Sequence, residues 1–492
     1  MVAATSAFKM VAIRAPTPQG GCRVYSCSRP CVASSAAFAA VRQNRCIAFG
    51  VVPISIRLAT AAATMVAASL GTFIQCKRPQ KHAVTARRAS LRASPEGELT
   101  AATGEQESWR RLPAEWEPHS ITLLSWPSAA LLALGTPRAD LGRSGKDWLT
   151  ETHYQEIVGL AEAISLREPL GVLVSSGDEE ECSKRLEQLS NLQIVIEEHC
   201  NFWLRDTGPC FLRDPSGQDG LRAILWDWHG YGSPEPGGGP GYSIGRKEHY
   251  EMYCINNWKS FCDLDISLAK RVANGCRAEE TIQGDLAFEG GAIVTDGEGT
   301  GVVVFGILSR MAFDGLVVAE KRLLRITGLQ KLIWLPKGLE DEGNLHADMV
   351  CAFLGPGLLL VADDGREGRL TTNVRSAQRA TDARGRKLRV ISMPVPDPSV
   401  IETLSDTFSE FFGRRAANAR RSYTNLIFVE GAVIMPAFGD KAADEKAKQI
   451  VTDAAREQAT TSLGSREVIQ LPWRELSRYG GGLRCATLPV PS

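Results

Sequence analysis

Acidic residues are absent from the first 95 positions of this 492-residue chain, although 13 lysines and arginines stand there. From Glu96 onward, 43 lysines and arginines face 56 aspartates and glutamates, which leaves a net charge of −13. A segment that lacks acids and is rich in Ala, Ser, Val and Arg is typical of organellar targeting peptides. An acidic body has no electrostatic reason to bind nucleic acid, so we expect no nucleic-acid partner.

The composition therefore predicts three parts. Residues 1–95 are expected to be a targeting leader for the plastid, or alternatively the mitochondrion, that is disordered or removed and does not pack on the fold. Residues 96–112 are predicted to be a linker, and residues 113–492 a folded domain, which the motifs described below indicate to be catalytic. The uncharged run 58–75 is marginal in length for a membrane span and only weakly hydrophobic. We interpret this run as the apolar part of the leader and expect no membrane association.

Paired cysteine motifs are also lacking. Five of the 13 cysteines lie in the leader, and none of the other eight forms a CxxC pair. With only seven histidines in the chain, the sequence predicts no zinc framework. Scattered cysteines of this kind are mostly small buried hydrophobes of a reduced compartment.

Helical stretches that precede short apolar strands recur along the body. "THYQEIVGLAEAISL" precedes "LGVLVSS", and "DEKAKQIVTDAAREQ" precedes "REVIQLP". Hairpin-like pairs with glycine at the turn lie between them, such as "MVCAFLGPGLLLVA". The pattern predicts an α/β fold of repeated ββαβ units. Residues 232–245, rich in Gly and Pro, are predicted to be an irregular loop.

Two stretches place charged residues beside strand ends and glycines. Arg205 and Asp206 follow an apolar run and precede a Thr-Gly-Pro turn, where a carboxylate can face a cleft. A turn-capping aspartate beside a surface arginine would explain the same pattern. Glu289 stands in an apolar context directly before Gly290 and Gly291. The alternative there is an ordinary turn acid in a hairpin.

Two further stretches carry groups suited to nucleophilic catalysis. His346 and Asp348 are two residues apart, so on a strand they would share a face and form an acid/base pair. Cys485 follows three glycines, and the fixed charge of Arg484 can stabilise its thiolate. Carboxylates can hold a planar guanidinium, a thiolate can attack its central carbon, and a histidine can protonate the leaving nitrogen.

Six stretches in this order give the chain a family resemblance: "LPAEWEPHSITLLSWP", "WLRDTGP", "LAFEGGAIVTDGEGT", "WLPKGLEDEGNLHAD", "SYTNLIFVEGAVIMPAFGD" and "GGGLRCATLP". Over about residues 110–491 the chain resembles the agmatine deiminase / bacterial-type peptidyl-arginine deiminase family of the guanidine-modifying superfamily. The resemblance implies a five-bladed α/β propeller of ββαβ units, the pentein fold, with its site in the central cavity.

The resemblance also implies roles for individual residues. The matching catalytic positions are Cys485 as nucleophile, His346 as general acid/base, Asp206 and Asp348 as the guanidinium-binding acids, and Glu289 of the EGG motif. The positions that we expect to line the substrate are Trp116, Trp203, Arg205, Gly290, Gly291 and Arg484. The implied reaction converts agmatine to N-carbamoylputrescine and ammonia through a covalent thiouronium, in polyamine biosynthesis. The implied reaction uses no metal or organic cofactor. The expected partner is a small guanidine substrate, agmatine. The chain could also form a homodimer.

The chain departs from the family pattern at some of these positions. Asn201 stands where an aspartate is common, and Arg484 stands where a histidine usually precedes the cysteine. We expect Arg484, on an extended strand, to point away from Cys485 and to act on the local field and on packing. An enzyme acting on arginine or peptidyl-arginine is therefore an alternative, and a catalytically silent propeller that binds a partner is another.

Overall fold

The computed structural model describes eleven stretches of the chain. They are residues 10–11, 110–127, 150–199, 201–214, 220–228, 258–284, 286–307, 316–339, 345–397, 421–458 and 464–492. The rest of the leader, including residues 58–75, and the predicted loop 232–245 lie outside them. In the described part, no helix has both the length and the apolar character needed to cross a membrane.

The strands in these stretches are β1 (Met10–Val11), β2 (His119–Ser125), β3 (Leu170–Val174), β4 (Leu192–Ile196), β5 (Cys210–Leu212), β6 (Arg222–Leu225), β7 (Glu280–Gln283), β8 (Ile293–Thr295), β9 (Thr300–Val304), β10 (Lys331–Leu335), β11 (Cys351–Gly355), β12 (Leu358–Ala362), β13 (Arg389–Met393), β14 (Ile427–Val429), β15 (Ala432–Ala437), β16 (Glu467–Pro472) and β17 (Thr487–Pro491). The α-helices are α1 (Glu151–Ser165), α2 (Glu179–Arg185), α3 (Leu204–Thr207), α4 (Trp258–Gly275), α5 (Leu316–Thr327), α6 (Thr371–Arg379), α7 (Lys441–Gln458) and α8 (Leu483–Ala486).

One unit is repeated through these elements. Two antiparallel strands are followed by a helix, and the helix leads to a third strand that is parallel to the second. The five units are β5-β6-α4-β7, β8-β9-α5-β10, β11-β12-α6-β13, β14-β15-α7-β16 and β17-β2-α1-β3. The predicted α/β fold of ββαβ units is therefore confirmed, and five is the number that a five-bladed propeller requires. The glycine-turn hairpins and helix–strand pairs quoted above are also present.

The last of these units is assembled from distant parts of the chain. Strand β17 pairs antiparallel with β2, with Leu488 opposite Leu123, and β2 then leads through α1 to β3. Helix α2 adds β4 to the same sheet. The structure corrects one expectation about the leader here, because Met10 and Val11 pair with β4. An exposed edge of backbone donors and acceptors accepts such a strand without help from charge.

The folded part also begins earlier than the predicted boundary at residue 113. Arg111 forms a backbone bridge with Arg213, and the amide of Leu112 donates to the carbonyl of Thr327. The side chain of Leu112 is buried in the core. Burying this apolar side chain stabilises the attachment, so the end of the predicted linker belongs to the fold.

The core forms where the strands are apolar over their whole length. All five residues of β3, β9, β11 and β12 are buried, as expected for strands covered on both faces. The helices that cover them are amphipathic: α1 buries Ile157, Leu160 and Ile164, which are three and four residues apart. Loss of one such side chain to alanine costs about 2–5 kcal/mol of unfolding free energy.

A short turn precedes the first strand of each unit, and a polar or reactive side chain lies in it or directly before it. These turns are α3 before β5, the 3₁₀ turn Gly290–Ala292 before β8, the 3₁₀ turn Ala347–Met349 before β11, residues 422–425 before β14, and α8 before β17. The short helix α3 contacts α8 and the 3₁₀ turn Gly290–Ala292. That 3₁₀ turn also contacts the 3₁₀ turn Ala347–Met349. The fold therefore gathers polar residues from separate units into one place.

Candidate active site

Asp206 lies in α3 and is buried, facing the neighbouring unit. Its Oδ1 accepts a hydrogen bond from the amide of Gly291 over 3.0 Å. Burial raises the pKa of Asp206 to about 6, and the nearby carboxylates of Asp348 and Glu289 add to this, while His346 opposes it. The group is thus a buried acid whose charge depends on a cation beside it.

His346 lies between two carboxylates. Its Nδ1 is 3.8 Å from Oδ2 of Asp206, and its Nε2 is 3.6 Å from Oε2 of Glu289. Burial disfavours the charged ring, but the two carboxylates outweigh burial and raise the pKa of His346 to about 9. At neutral pH the ring is an imidazolium, which can donate a proton.

Gly291 has no side chain, and this allows Asp206, His346 and Asp348 to lie close to its backbone. A Cβ atom at this position would lie 2.7 Å from Oδ1 of Asp206, 2.9 Å from Nδ1 of His346 and 3.1 Å from Oδ2 of Asp348. Real Cβ atoms essentially never approach another heavy atom below 3.0 Å. The glycine therefore allows the backbone of one unit to reach acids supplied by two others.

His346 and Asp348 are not on a strand, and the prediction that they share a strand face is wrong. His346 caps the 3₁₀ turn Ala347–Met349, and Asp348 lies within that turn, fully buried. A 3₁₀ turn advances by about 120° per residue, so the two side chains diverge from one backbone position. Both side chains still lie close to Gly291, because the 3₁₀ turn that carries them packs against the turn Gly290–Ala292.

Cys485 lies in α8 and is buried beside Asp348. Its thiol donates to Oδ2 of Asp348 over 3.8 Å and accepts a hydrogen bond from Nδ2 of Asn425 over 3.2 Å. Burial raises the pKa of Cys485 well above its usual value, and the charges of Asp348 and Asp206 raise it further. Without a bound cation, this cysteine is therefore a thiol and a poor nucleophile at neutral pH.

Asn425 holds the turn that carries the cysteine, and the sequence reasoning above does not include it. Its Oδ1 accepts from the amide of Arg484 over 2.8 Å and from the amide of Cys485 over 3.4 Å. A Cβ at Gly482 would lie 2.4 Å from that oxygen, so the glycine permits the close approach. The position of Asn425 just before the first strand of its unit is the same as that of Asp206, Glu289 and Asp348, but this equivalence is visible only once the units are known.

Arg484 does not point away from Cys485, so this prediction is wrong. The residues lie in the four-residue helix α8 rather than on an extended strand, and both side chains reach Oδ2 of Asp348. Nη1 of Arg484 is 2.8 Å from that oxygen, and Nη2 is 3.0 Å from Oε1 of Glu115. Successive side chains on a helix are about 100° apart, which allows them to converge on one group.

Glu115 is a partly exposed acid beside the site that the sequence did not identify. Arg205 donates to both of its oxygens over 3.1 Å, and Arg484 donates to Oε1. Burial disfavours its charge, but Arg205 and Arg484 lower the pKa of Glu115 to about 2. The guanidinium of Arg205, expected to line the substrate, is thus held by Glu115.

The two tryptophans expected to line the substrate make aromatic contacts within the fold. Trp203 is buried against Phe202, with ring centroids 4.9 Å apart. Trp116 is partly exposed and packs edge-on against Phe428 at 5.7 Å. In the described stretches, no group of three or more His, Cys, Asp or Glu side chains is arranged to hold a metal ion.

The site thus holds a buried cysteine on Asp348 and a histidine between Asp206 and Glu289. Residues 111–491 match the sequence profile of the Porphyromonas-type peptidyl-arginine deiminase family. The chain is 29% identical over 401 residues to an agmatine deiminase of Pseudomonas aeruginosa, covering 78% of this chain and 95% of that one. An agmatine deiminase of the plant Medicago truncatula is 29% identical over 404 residues, covering 77% and 96%.

Solved structures share the fold. That of the agmatine deiminase of Enterococcus faecalis superposes with a TM-score of 0.60 at 20% identity and covers 78% of this chain and 96% of its own.

Proposed function

The chain belongs to the Porphyromonas-type peptidyl-arginine deiminase family, and on this premise we propose that it hydrolyses the guanidinium of agmatine to N-carbamoylputrescine and ammonia. One observation carries the proposal: His346 lies between Asp206 and Glu289, while the Cys485 thiol contacts Asp348 in the same cluster. The names of the relatives support agmatine as the substrate.

Binding of the substrate cation would activate the nucleophile. Asp206 and Asp348 are buried acids that can hold a planar guanidinium through charge-assisted hydrogen bonds. Burial raises the pKa of the Cys485 thiol, and the same two carboxylates raise it further while no substrate cation is bound. A guanidinium placed between them offsets their field, so the thiol releases its proton to solvent as the substrate enters and its carbon comes to lie beside the sulfur.

The reaction then proceeds in two halves. The Cys485 thiolate forms a C–S bond to the guanidinium carbon, and His346 gives its proton to one nitrogen, which leaves as ammonia when the C–N bond breaks. Water next attacks the thiouronium carbon and gives its proton to His346. The C–S bond breaks and the thiolate returns, the second proton of the water passes to solvent where the released ammonia takes it up, and the product carries a ureido group in place of the guanidinium.

Ammonia release by the purified full-length chain tests this proposal. Agmatine, arginine and an arginyl peptide are compared at equal concentration, with Cys485→Ser as the control that keeps the fold. We expect release from agmatine, preferred over the other two, and none above background from the variant. Preference for arginine or the peptide would favour the alternative substrates, and release from none of them would favour a silent propeller.

The leader supports a proposal on location. Because residues 1–95 contain 13 basic and no acidic residues, we propose that they direct the enzyme to the plastid, or alternatively the mitochondrion, where it would serve polyamine biosynthesis. A fluorescent protein fused after residue 95 should enter that organelle, and diffuse fluorescence throughout the cell would contradict the proposal.

A further inference from the structure

The guanidinium of Arg484 binds Asp348, which is also one of the acids proposed to bind the substrate guanidinium. Nη1 binds Oδ2 of Asp348 over 2.8 Å, Nε and Nη2 reach Oε1 of Glu115 over 3.3 and 3.0 Å, and Nη2 also donates to the carbonyl of Ile293 over 3.3 Å. All three nitrogens are engaged, so the planar group is fixed in orientation.

The two oxygens of Asp348 have different surroundings. Oδ2 receives Arg484 and the Cys485 thiol. Oδ1 is also buried, yet no residue in the described part of the chain donates to it. A buried carboxylate oxygen without a donor is unfavourable and marks a place where a ligand donor can bind.

Arg484 is also held firmly from the other side. Glu115 is fixed by both terminal nitrogens of Arg205, so it cannot follow Arg484 away from the site. Displacing Arg484 would leave the fully buried charge of Asp348 without its arginine and would remove one of the two arginines on Glu115, which is unfavourable. Arg484 binds Glu115 as well as Asp348, so a substrate guanidinium that binds Asp348 does not readily displace it.

We propose that Arg484 is a positioning residue that keeps Oδ2 of Asp348 occupied during the reaction, so that the substrate guanidinium binds Asp348 through Oδ1 alone. This inference rests on the proposed function. A substrate bound across both oxygens would displace the Cys485 thiol from Oδ2 as well as Arg484. Arg484 thus prevents a tighter but misplaced grip, and it turns the guanidinium carbon toward the nucleophile.

Steady-state kinetics of Arg484→Gln separate this role from a structural one. With both oxygens of Asp348 free, agmatine should bind more tightly and less productively. We expect KM to fall about tenfold, as for one added hydrogen bond to a charged group, while kcat falls about 100-fold because the reacting atoms are misplaced. A merely structural role would lower stability and kcat without lowering KM.

A binding measurement that needs no turnover accompanies the kinetics. Guanidinium chloride at concentrations that leave the protein folded changes the rate at which iodoacetamide alkylates Cys485 when the ion occupies Asp348, because the ion offsets the carboxylate charge beside the sulfur. The alkylated C-terminal peptide is quantified by mass spectrometry, and the guanidinium concentration that gives half of the full change in rate should fall about tenfold in Arg484→Gln. If the wild type turns over no guanidine but this shift appears, the proposed function fails, while Arg484 still restricts a bound guanidinium to one oxygen of Asp348.

Two variants complete the test. Arg185→Gln is the control: it removes an arginine that pairs with Glu151 and Glu181 and not with Glu115 or Asp348, so the concentration for half of the change in rate should stay within about twofold of wild type. If Arg484→Gln does not fold, Arg484→Met replaces it, because its side chain carries no donor for Oδ2 of Asp348; the same direction of change is expected. An unchanged or increased concentration for half of the change in the Arg484 variant overturns the proposal, and a KM that rises for arginine alone would make Arg484 a reader of the substrate carboxylate.

Discussion

Asn425 performs two tasks that one pair of substitutions can separate. Its Oδ1 accepts from the amides of Arg484 and Cys485, and its Nδ2 donates to the Cys485 sulfur over 3.2 Å. Asn425→Asp keeps the acceptor oxygen and the shape but removes the donor and adds a charge beside the sulfur. Asn425→Ala removes both.

The expected magnitudes differ between the two variants. In Asn425→Asp, a hydrogen bond to a thiolate worth about 1.5–3 kcal/mol is lost, so kcat/KM should fall by at least about 100-fold once the added negative charge is included. Stability should change little because both amides keep an acceptor. In Asn425→Ala, two buried amides lose their acceptor, and unfolding should become easier by about 2–4 kcal/mol.

The assays are urea unfolding and the pH dependence of Cys485 alkylation by iodoacetamide. Asn425→Asp should move the thiol titration to higher pH, while Asn425→Ala should mainly lower the urea midpoint. Thr424→Val is the matched control, since its hydroxyl contacts the carbonyl of Asp348 but no sulfur. An Asn425→Asp variant that keeps its alkylation profile and activity would refute a role of the amide in stabilising the thiolate.

Three further predictions follow from the site. Asp206→Asn and Asp348→Asn should each lower kcat/KM by an amount equivalent to about 2–5 kcal/mol, because a buried charged partner of the guanidinium is lost; steady-state kinetics that remain near wild type would remove that acid from the site. Gly291→Ala should lower kcat at least about 100-fold, since its methyl group would collide with Asp206 and His346, and a crystal structure showing both side chains unmoved would contradict this. The pKa of His346 is raised to about 9, so its charge stabilises the fold fully below about pH 6.5 and this contribution is lost as pH rises through 9; the free energy of unfolding should fall by about 3 kcal/mol over that window, and the fall should be absent in His346→Gln.

The residues that the sequence could identify are those whose local pattern is unusual. Asp206, Glu289 and Cys485 each stand beside glycines and next to an apolar strand, a context in which a charged or reactive side chain is unexpected. The alternation of helices and hairpins likewise predicts the ββαβ unit correctly, because period and turn residues are local properties.

The residues that the sequence could not identify depend on contacts between units. Asn425 stands before an apolar strand, where an amide is common, and Glu115 lies in "PAEWEP", which has the pattern of a surface segment. Their roles arise from Cys485, Arg205 and Arg484, which are supplied by distant parts of the chain. The same reason explains the error about Arg484, whose direction is set by the short helix α8 and not by the strand that follows.

The pairing of β17 with β2 has a consequence for how the enzyme loses and gains activity. Residues that bond across these strands, such as Ser120 and Val490, are 370 positions apart, and closing such a loop costs about 5 kcal/mol of chain entropy. The other four units are continuous in sequence and need no such closure. The sheet that positions Cys485 should therefore be the last to form and the first to open, so on gentle heating the chain would lose its nucleophile while most of its secondary structure persists.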